Sequence, residues 1–136
     1  ALRGVLDGKK VLLIDDSIVR GSTTRQLVRY LKEEGGAKEV HLRITCLPIR
    51  GPCFYGIDMS TVSELLVPRY EKKPVSQNIS RETCDAIAKD VGADSLIYQT
   101  IEGLIRSIGS FTPVCLFKNM ASVLPPEETG FITPML

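Results

Sequence analysis

The chain has 136 residues, 43% hydrophobic and 24% charged, the size and composition of one globular domain able to bury a core. A formal net charge of +1 offers no broad basic field for nucleic acid and no acidic tail, so any phosphate binding has to be local. No apolar run approaches the ~18 residues of a membrane span, Ala1–Asp7 does not resemble a secretory signal, and Cys46, Cys53, Cys84 and Cys115 are too scattered for a disulfide scaffold. A reducing cytoplasm is the expected setting.

In chain order, Lys10–Ile14 carries the unbroken apolar run Val11-Leu12-Leu13-Ile14, followed by Asp15 and Asp16. Such a run predicts a strand buried on both faces, as in a parallel sheet. Gly21-Ser22-Thr23-Thr24 leads into a helix over Arg25–Glu34, with Leu27, Val28 and Leu31 on one face and Gly35-Gly36 as the stop. Glu39–Cys46 alternates as a second strand, with Val40, Leu42 and Ile44 against His41, Arg43 and Thr45. Strand, loop, helix and strand together have the length of a βαβ unit, whose strands run parallel with a right-handed crossover.

Leu47–Pro52 reads as a loop. Thr61-x-x-Glu64 offers a capping box for a short helix carrying Leu65 and Leu66. Pro68–Ile79 reads as an exposed loop in which Glu71-Lys72-Lys73 are solvated charges. Ser80 caps a helix through Val91 that turns Cys84, Ile87, Ala88 and Val91 inward and stops at Gly92. Ser95–Tyr98 is a short third strand, Thr100–Ile108 a helix and Phe111–Phe117 a last strand before an irregular, proline-containing tail. The organisation expected is one α/β unit over residues 1–110, a parallel sheet with flanking helices, and a terminal strand and tail over 111–136.

Ligands of open parallel sheets bind outside the carboxyl ends of the strands, where the Asp15–Thr24 loop should lie. A helix beginning near Thr23 presents unsatisfied N–H groups and a partial positive charge, which suit a phosphate. Gly21 lets the backbone approach closely. Ser17, Ser22, Thr23 and Thr24 add hydroxyls, and Arg20 is a candidate charged donor. The Asp15 and Asp16 carboxylates would repel a phosphate, so they suit ribose hydroxyls and a Mg²⁺ that takes one or two carboxylates plus substrate oxygens. The string reads as a sugar-phosphate site. Neither a Gly-x-x-x-x-Gly-Lys-Ser/Thr loop nor a Gly-x-Gly-x-x-Gly fingerprint is present.

At these residues the sequence resembles the phosphoribosyl-pyrophosphate (PRPP) motif of type I phosphoribosyltransferases. Asp15-Asp16-Ser17-Ile18-Val19-Arg20-Gly21-Ser22-Thr23 resembles most specifically the amidophosphoribosyltransferase family. Supporting stretches are Val40–Ile44, Pro48-Ile49, Pro52–Asp58, Glu64-Leu65, Gly92–Tyr98 and Glu102–Leu104. The resemblance implies part of a type I phosphoribosyltransferase fold. It implies that Asp15 and Asp16 hold ribose hydroxyls and Mg²⁺, and that Ser17, Ile18, Val19, Arg20, Gly21, Ser22, Thr23 and Thr24 surround the 5-phosphate. It further implies formation of phosphoribosylamine from PRPP and glutamine-derived ammonia, the first step of purine synthesis. Purine nucleotides are the inhibitors implied, and a homo-oligomer the full enzyme.

The family's glutaminase half uses an N-terminal cysteine, whereas residue 1 here is Ala1. Its pyrophosphate loop and closing loop precede the PRPP motif and are not in this sequence. The polypeptide alone is therefore expected to bind PRPP weakly or not at all and not to turn over. Some members hold a [4Fe–4S] cluster. Cys53 matches one ligand, Cys115 stands where a second would, and Thr112 replaces a third. A cluster needs four thiolates, so none is expected, and Cys46, Cys84 and Cys115 read as small buried hydrophobes. His41 reads as a packed or surface residue, and Phe54 and Tyr55 as core. Arg50 and Arg69 are within conceivable reach of a ligand. The competing readings are a salvage phosphoribosyltransferase, which needs a base-specific hood, and a non-catalytic PRPP sensor, which needs a nucleic-acid-binding module.

Overall fold

The structure, a computed structural model, describes residues 3–52, 61–72 and 78–108. A short helix α1 (Arg3–Leu6) precedes strand β1 (Lys10–Asp15), helix α2 (Ser22–Glu33) and strand β2 (Glu39–Ile44). Two single 3-10 turns follow, Val62–Glu64 and Val67–Arg69, then α3 (Arg81–Val91), β3 (Ser95–Tyr98) and α4 (Ile101–Ile108). The strands form a parallel sheet in the order β1-β2-β3. This is the expected α/β arrangement with flanking helices. Register pairs Leu13 with Leu42 and Leu42 with Leu96.

That register sorts the side chains into two faces. Val40, Leu42, Ile44, Leu96 and Tyr98 point to one face and are buried with Val28 and Leu31 of α2 and Cys84, Ile87, Ala88 and Val91 of α3. The inward residues expected of α2 and α3 are buried here except Leu27, which is half-buried against the same core. Ion pairs tie the two helices and the β3 turn together at the rim, Arg25 to Asp90 and Lys32 to Asp94, both at 2.9 Å. The Asp94 Oδ2 also accepts the Val40 N–H at 2.7 Å, which fixes the start of β2 against the turn into β3.

β1 departs from expectation. Its residues alternate between half-buried and exposed, and Leu12 and Ile14 are 59% and 63% exposed. An apolar run gives no alternation to read. Among the described residues, however, β1 pairs only with β2, and the core lies on the face opposite Leu12 and Ile14. Strand-level apolarity thus overstated the cover on this strand.

Helix ends follow their chemistry. Ser80 Oγ accepts the Thr83 N–H at 3.2 Å, and Gly92 closes α3 in the left-handed region at φ 79°, as the sequence predicts. The Thr61–Glu64 capping box does not form. Val62–Glu64 is a single 3-10 turn without a side-chain cap, and Leu65 and Leu66 follow it. The segment from Pro68 also differs from an exposed loop, because its Glu71 is 8% exposed. Lys73, Cys53–Asp58 and everything beyond Ile108, including Cys115 and the expected last strand, lie outside the described residues.

Candidate functional site: the loop between β1 and α2

The candidate loop begins where β1 ends. The Asp15 and Asp16 carbonyls accept the Thr45 and Cys46 N–H groups at 3.0 and 2.9 Å, so the acidic pair is held beside the end of β2. Asp15 is half-buried and Asp16 exposed. Asp15 Oδ1 accepts the Asp16 N–H at 3.0 Å, and Asp16 Oδ1 accepts the Ser17 N–H at 2.6 Å. These local turns orient the carboxylates at the carboxyl end of the sheet. Two adjacent carboxylates suit a cation that draws its remaining ligands from substrate oxygens. No cluster of three or more His, Cys, Asp or Glu occurs among the described residues, so the protein's contribution to a metal here would rest on this pair.

Ile18 then turns inward, 2% exposed, and anchors the middle of the loop in the core. Its side chain is a structural pin. Gly21 stands at the cap of α2 with φ 78° and ψ −5°, a conformation that glycine adopts without strain. Arg25 N–H already donates to Gly21 carbonyl at 2.9 Å. The three N–H groups before it, of Ser22, Thr23 and Thr24, fall in the stretch that has no partner within a helix.

Comparison of the two long helices shows how the chain keeps this end accessible. α3 is capped by Ser80 and has Glu82 in its first turn. α2 has no side-chain cap and no acid in its first turn. Both features leave the positive end of the helix dipole for an external anion. Ser22 and Thr23 are exposed there, while Thr24 is 4% exposed and faces the core.

Arg20, the candidate charged donor, is engaged within the chain. Its Nη2 donates to Glu64 Oε2 at 3.0 Å. The neighbouring Leu66 N–H donates to Val19 carbonyl at 2.8 Å. A Cβ built on Gly21 would approach Leu66 Cδ2 to 2.9 Å. Glu64–Leu66 therefore forms a wall behind Val19, Arg20 and Gly21. The sequence marks Glu64 as a capping-box residue and by family likeness but not as the partner of Arg20, because an ion pair across 44 positions leaves no local pattern.

The wall is anchored by a second long-range cluster. Glu71 Oε1 accepts from Arg50 Nη2 at 2.9 Å, with the two side chains 6% and 5% exposed. Glu71 Oε2 accepts the Thr83 hydroxyl at 2.7 Å and the Ser80 N–H at 3.2 Å. Glu71 is thus a buried link between the loop after β2 and the start of α3, not a solvated charge, and Arg50 turns to it. Burial lowers the Arg50 pKa, while Glu71 opposes that shift. Arg69 turns back to the Glu64 carbonyl at 3.2 Å. His41 lies at the opposite end of the strands, where Nδ1 meets Ser95 Oγ at 2.9 Å and Nε2 meets Glu39 at 3.0 Å. It is a packed surface residue, as expected.

Of the cysteines, Cys84 is buried, as expected, and burial raises its thiol pKa. Cys46 is exposed rather than buried, because β2 ends at Ile44 and Cys46 falls in the turn beyond it.

No family model matches the chain. Individual proteins do. The amidophosphoribosyltransferase of Methanocaldococcus jannaschii is 46% identical over 108 residues, which are 79% of this chain and 20% of that protein. The one from Synechococcus elongatus is 40% identical over 131 residues, 93% of this chain and 24% of that protein. Among solved structures, the glutamine PRPP amidotransferase from B. subtilis, complexed with ADP and GMP, superposes with a TM-score of 0.62 at 45% identity. That match covers 82% of this chain and 22% of the other. At such identities the shared fold and the shared sequence point the same way. Over most of its length the chain is thus 40–46% identical to amidophosphoribosyltransferases, spans about a fifth of the length of these relatives, and has part of a type I phosphoribosyltransferase fold.

Proposed function

We propose that this chain supplies the ribose-5-phosphate half of a PRPP site, within an enzyme that makes 5-phosphoribosylamine in purine synthesis. The observation that carries this reading is the uncapped amino end of α2, entered through a left-handed Gly21 directly after two carboxylates. The 5-phosphate would take the Ser22, Thr23 and Thr24 N–H groups and the Ser17, Ser22 and Thr23 hydroxyls. Asp15 and Asp16 would bind ribose hydroxyls and hold Mg²⁺, which when bound would neutralise charge on the pyrophosphate leaving group.

In this reading the chain's own contribution is positional. It fixes the sugar by its phosphate and hydroxyls so that C1 faces an incoming ammonia. The anionic carboxylates near the ring also favour the positive charge that develops there. Ammonia would come from a glutaminase domain, in a cytoplasmic homo-oligomer regulated by purine nucleotides. The ADP and GMP named with the B. subtilis structure support that part of the proposal. Within the described residues no helix is long and apolar enough to cross a membrane.

The test is titration of isotope-labelled chain with PRPP and Mg²⁺, read by amide chemical shifts that register weak binding. Saturable shifts at Ser22–Thr24 support the site. Shifts confined to other residues would contradict it. Amidotransferase turnover by this polypeptide alone would contradict the expectation that its site is partial.

A further inference from the structure

We propose that Glu64–Leu66 is the positioning element of the phosphate loop, and that Glu64 acts on ligand affinity through Arg20. This inference rests on the PRPP-site reading. Three consecutive loop residues meet three consecutive wall residues by different means. Val19 carbonyl accepts the Leu66 N–H at 2.8 Å, Arg20 pairs with Glu64 at 3.0 Å, and Gly21 packs against Leu66. A left-handed residue between a pinned Ile18 and a helix cap has few ways to be held. The wall supplies a hydrogen bond, a charge pair and a steric stop at the point where the chain reverses into α2.

The wall itself is rigid. Leu65, Leu66 and Val67 are all 0% exposed, and Glu71 fastens the end of the segment to Arg50, Thr83 and Ser80. The Arg20–Glu64 pair is the soft part, with side chains 38% and 43% exposed. An exposed pair is worth up to about a fivefold change in an equilibrium constant. That is enough to tune how often the loop presents its N–H groups correctly, and too little to decide whether the domain folds. Glu64 is an anion near an anion site, so simple electrostatics expects its neutralisation to tighten phosphate binding. Positioning expects the reverse, and the two are separable.

The experiment uses Glu64→Gln, Arg20→Gln and the double variant of the full chain, with ribose 5-phosphate and with PRPP plus Mg²⁺ as ligands. We expect Glu64→Gln to weaken both ligands by up to about fivefold and to lower the melting temperature by no more than about 8 °C. The double variant should bind as Arg20→Gln alone does, because Glu64 acts through Arg20. Unchanged or tighter binding by Glu64→Gln would overturn the proposal, as would fully additive effects. If the parent chain binds neither ligand, as a partial site allows, the wall is judged on amide hydrogen exchange alone. Faster exchange at Leu66 and shifted Val19–Gly21 resonances in both single variants then support it, and unchanged exchange overturns it.

Discussion

Replacing Gly21 by alanine tests the loop at the residue that sets its shape. An L-residue in the left-handed region costs roughly 1–2 kcal/mol. At Gly21 a methyl group also meets Leu66 Cδ2 at 2.9 Å, and Leu66 is 0% exposed, so its side chain has no solvent to retreat into. Overpacking of this kind adds about 1–3 kcal/mol, for a total near 2–5 kcal/mol. Gly8 provides the internal control. Its φ is 67°, but nothing lies within 4 Å of the position of its Cβ. Gly8→Ala should therefore show the conformational cost of about 1–2 kcal/mol alone. Urea unfolding of both variants, compared by midpoint at constant m, measures the difference. Trimming Leu66 to alanine in the Gly21→Ala background should cost less than the same trim in the parent, since it removes the clash. Equal destabilisation by Gly8→Ala and Gly21→Ala, with additive behaviour toward Leu66→Ala, would refute the close approach of Gly21 to the wall.

Removing one partner of a buried ion pair strands the other. Glu71→Ala should therefore destabilise the chain by about 3–5 kcal/mol in urea unfolding, whereas replacing Arg50 and Glu71 together by Met and Leu should cost much less. Lys32, then the Val40 N–H, hold the Asp94 carboxyl below the ordinary aspartate range. A depressed folded-state pKa gives stability that is complete above about pH 4 and lost as pH falls through the lower folded value. Asp94→Asn should flatten the decline in unfolding midpoint as pH falls below about 4. Cys84 is buried and its thiol pKa is raised by that burial, whereas Cys46 is exposed. Thiol labelling with peptide mapping should modify Cys46 in the native chain and Cys84 only on unfolding.

Local chemistry was what the sequence carried openly. The alternation Val40, Leu42, Ile44 gave β2, Ser80 and Gly92 bracketed α3, and Gly35-Gly36 closed α2, because each signal lies within one or two turns of its effect. The acidic pair and Gly21 were likewise legible, since strand end, loop and helix start are contiguous. Long-range partners were not. Glu71 looked like a solvated charge until the fold placed Arg50 beside it, and nothing local announced the pairing of Arg20 with Glu64. The exposure of Leu12 and Ile14 was hidden for the converse reason: an unbroken apolar run records what a strand can bury, not which of its faces is covered.

A sugar-phosphate site at the amino end of α2 and the carboxylates before it can be probed by amide chemical shifts under titration with PRPP and Mg²⁺, for the parent and for an Asp15→Asn/Asp16→Asn variant. Saturable shifts are expected at Ser22, Thr23 and Thr24 in the parent. In the variant, PRPP should bind more weakly, while inorganic phosphate, which has no ribose to lose, keeps its shifts at the same three residues. Saturable PRPP shifts confined to residues outside Asp15–Thr24, or equal weakening of PRPP and inorganic phosphate in the variant, would contradict it.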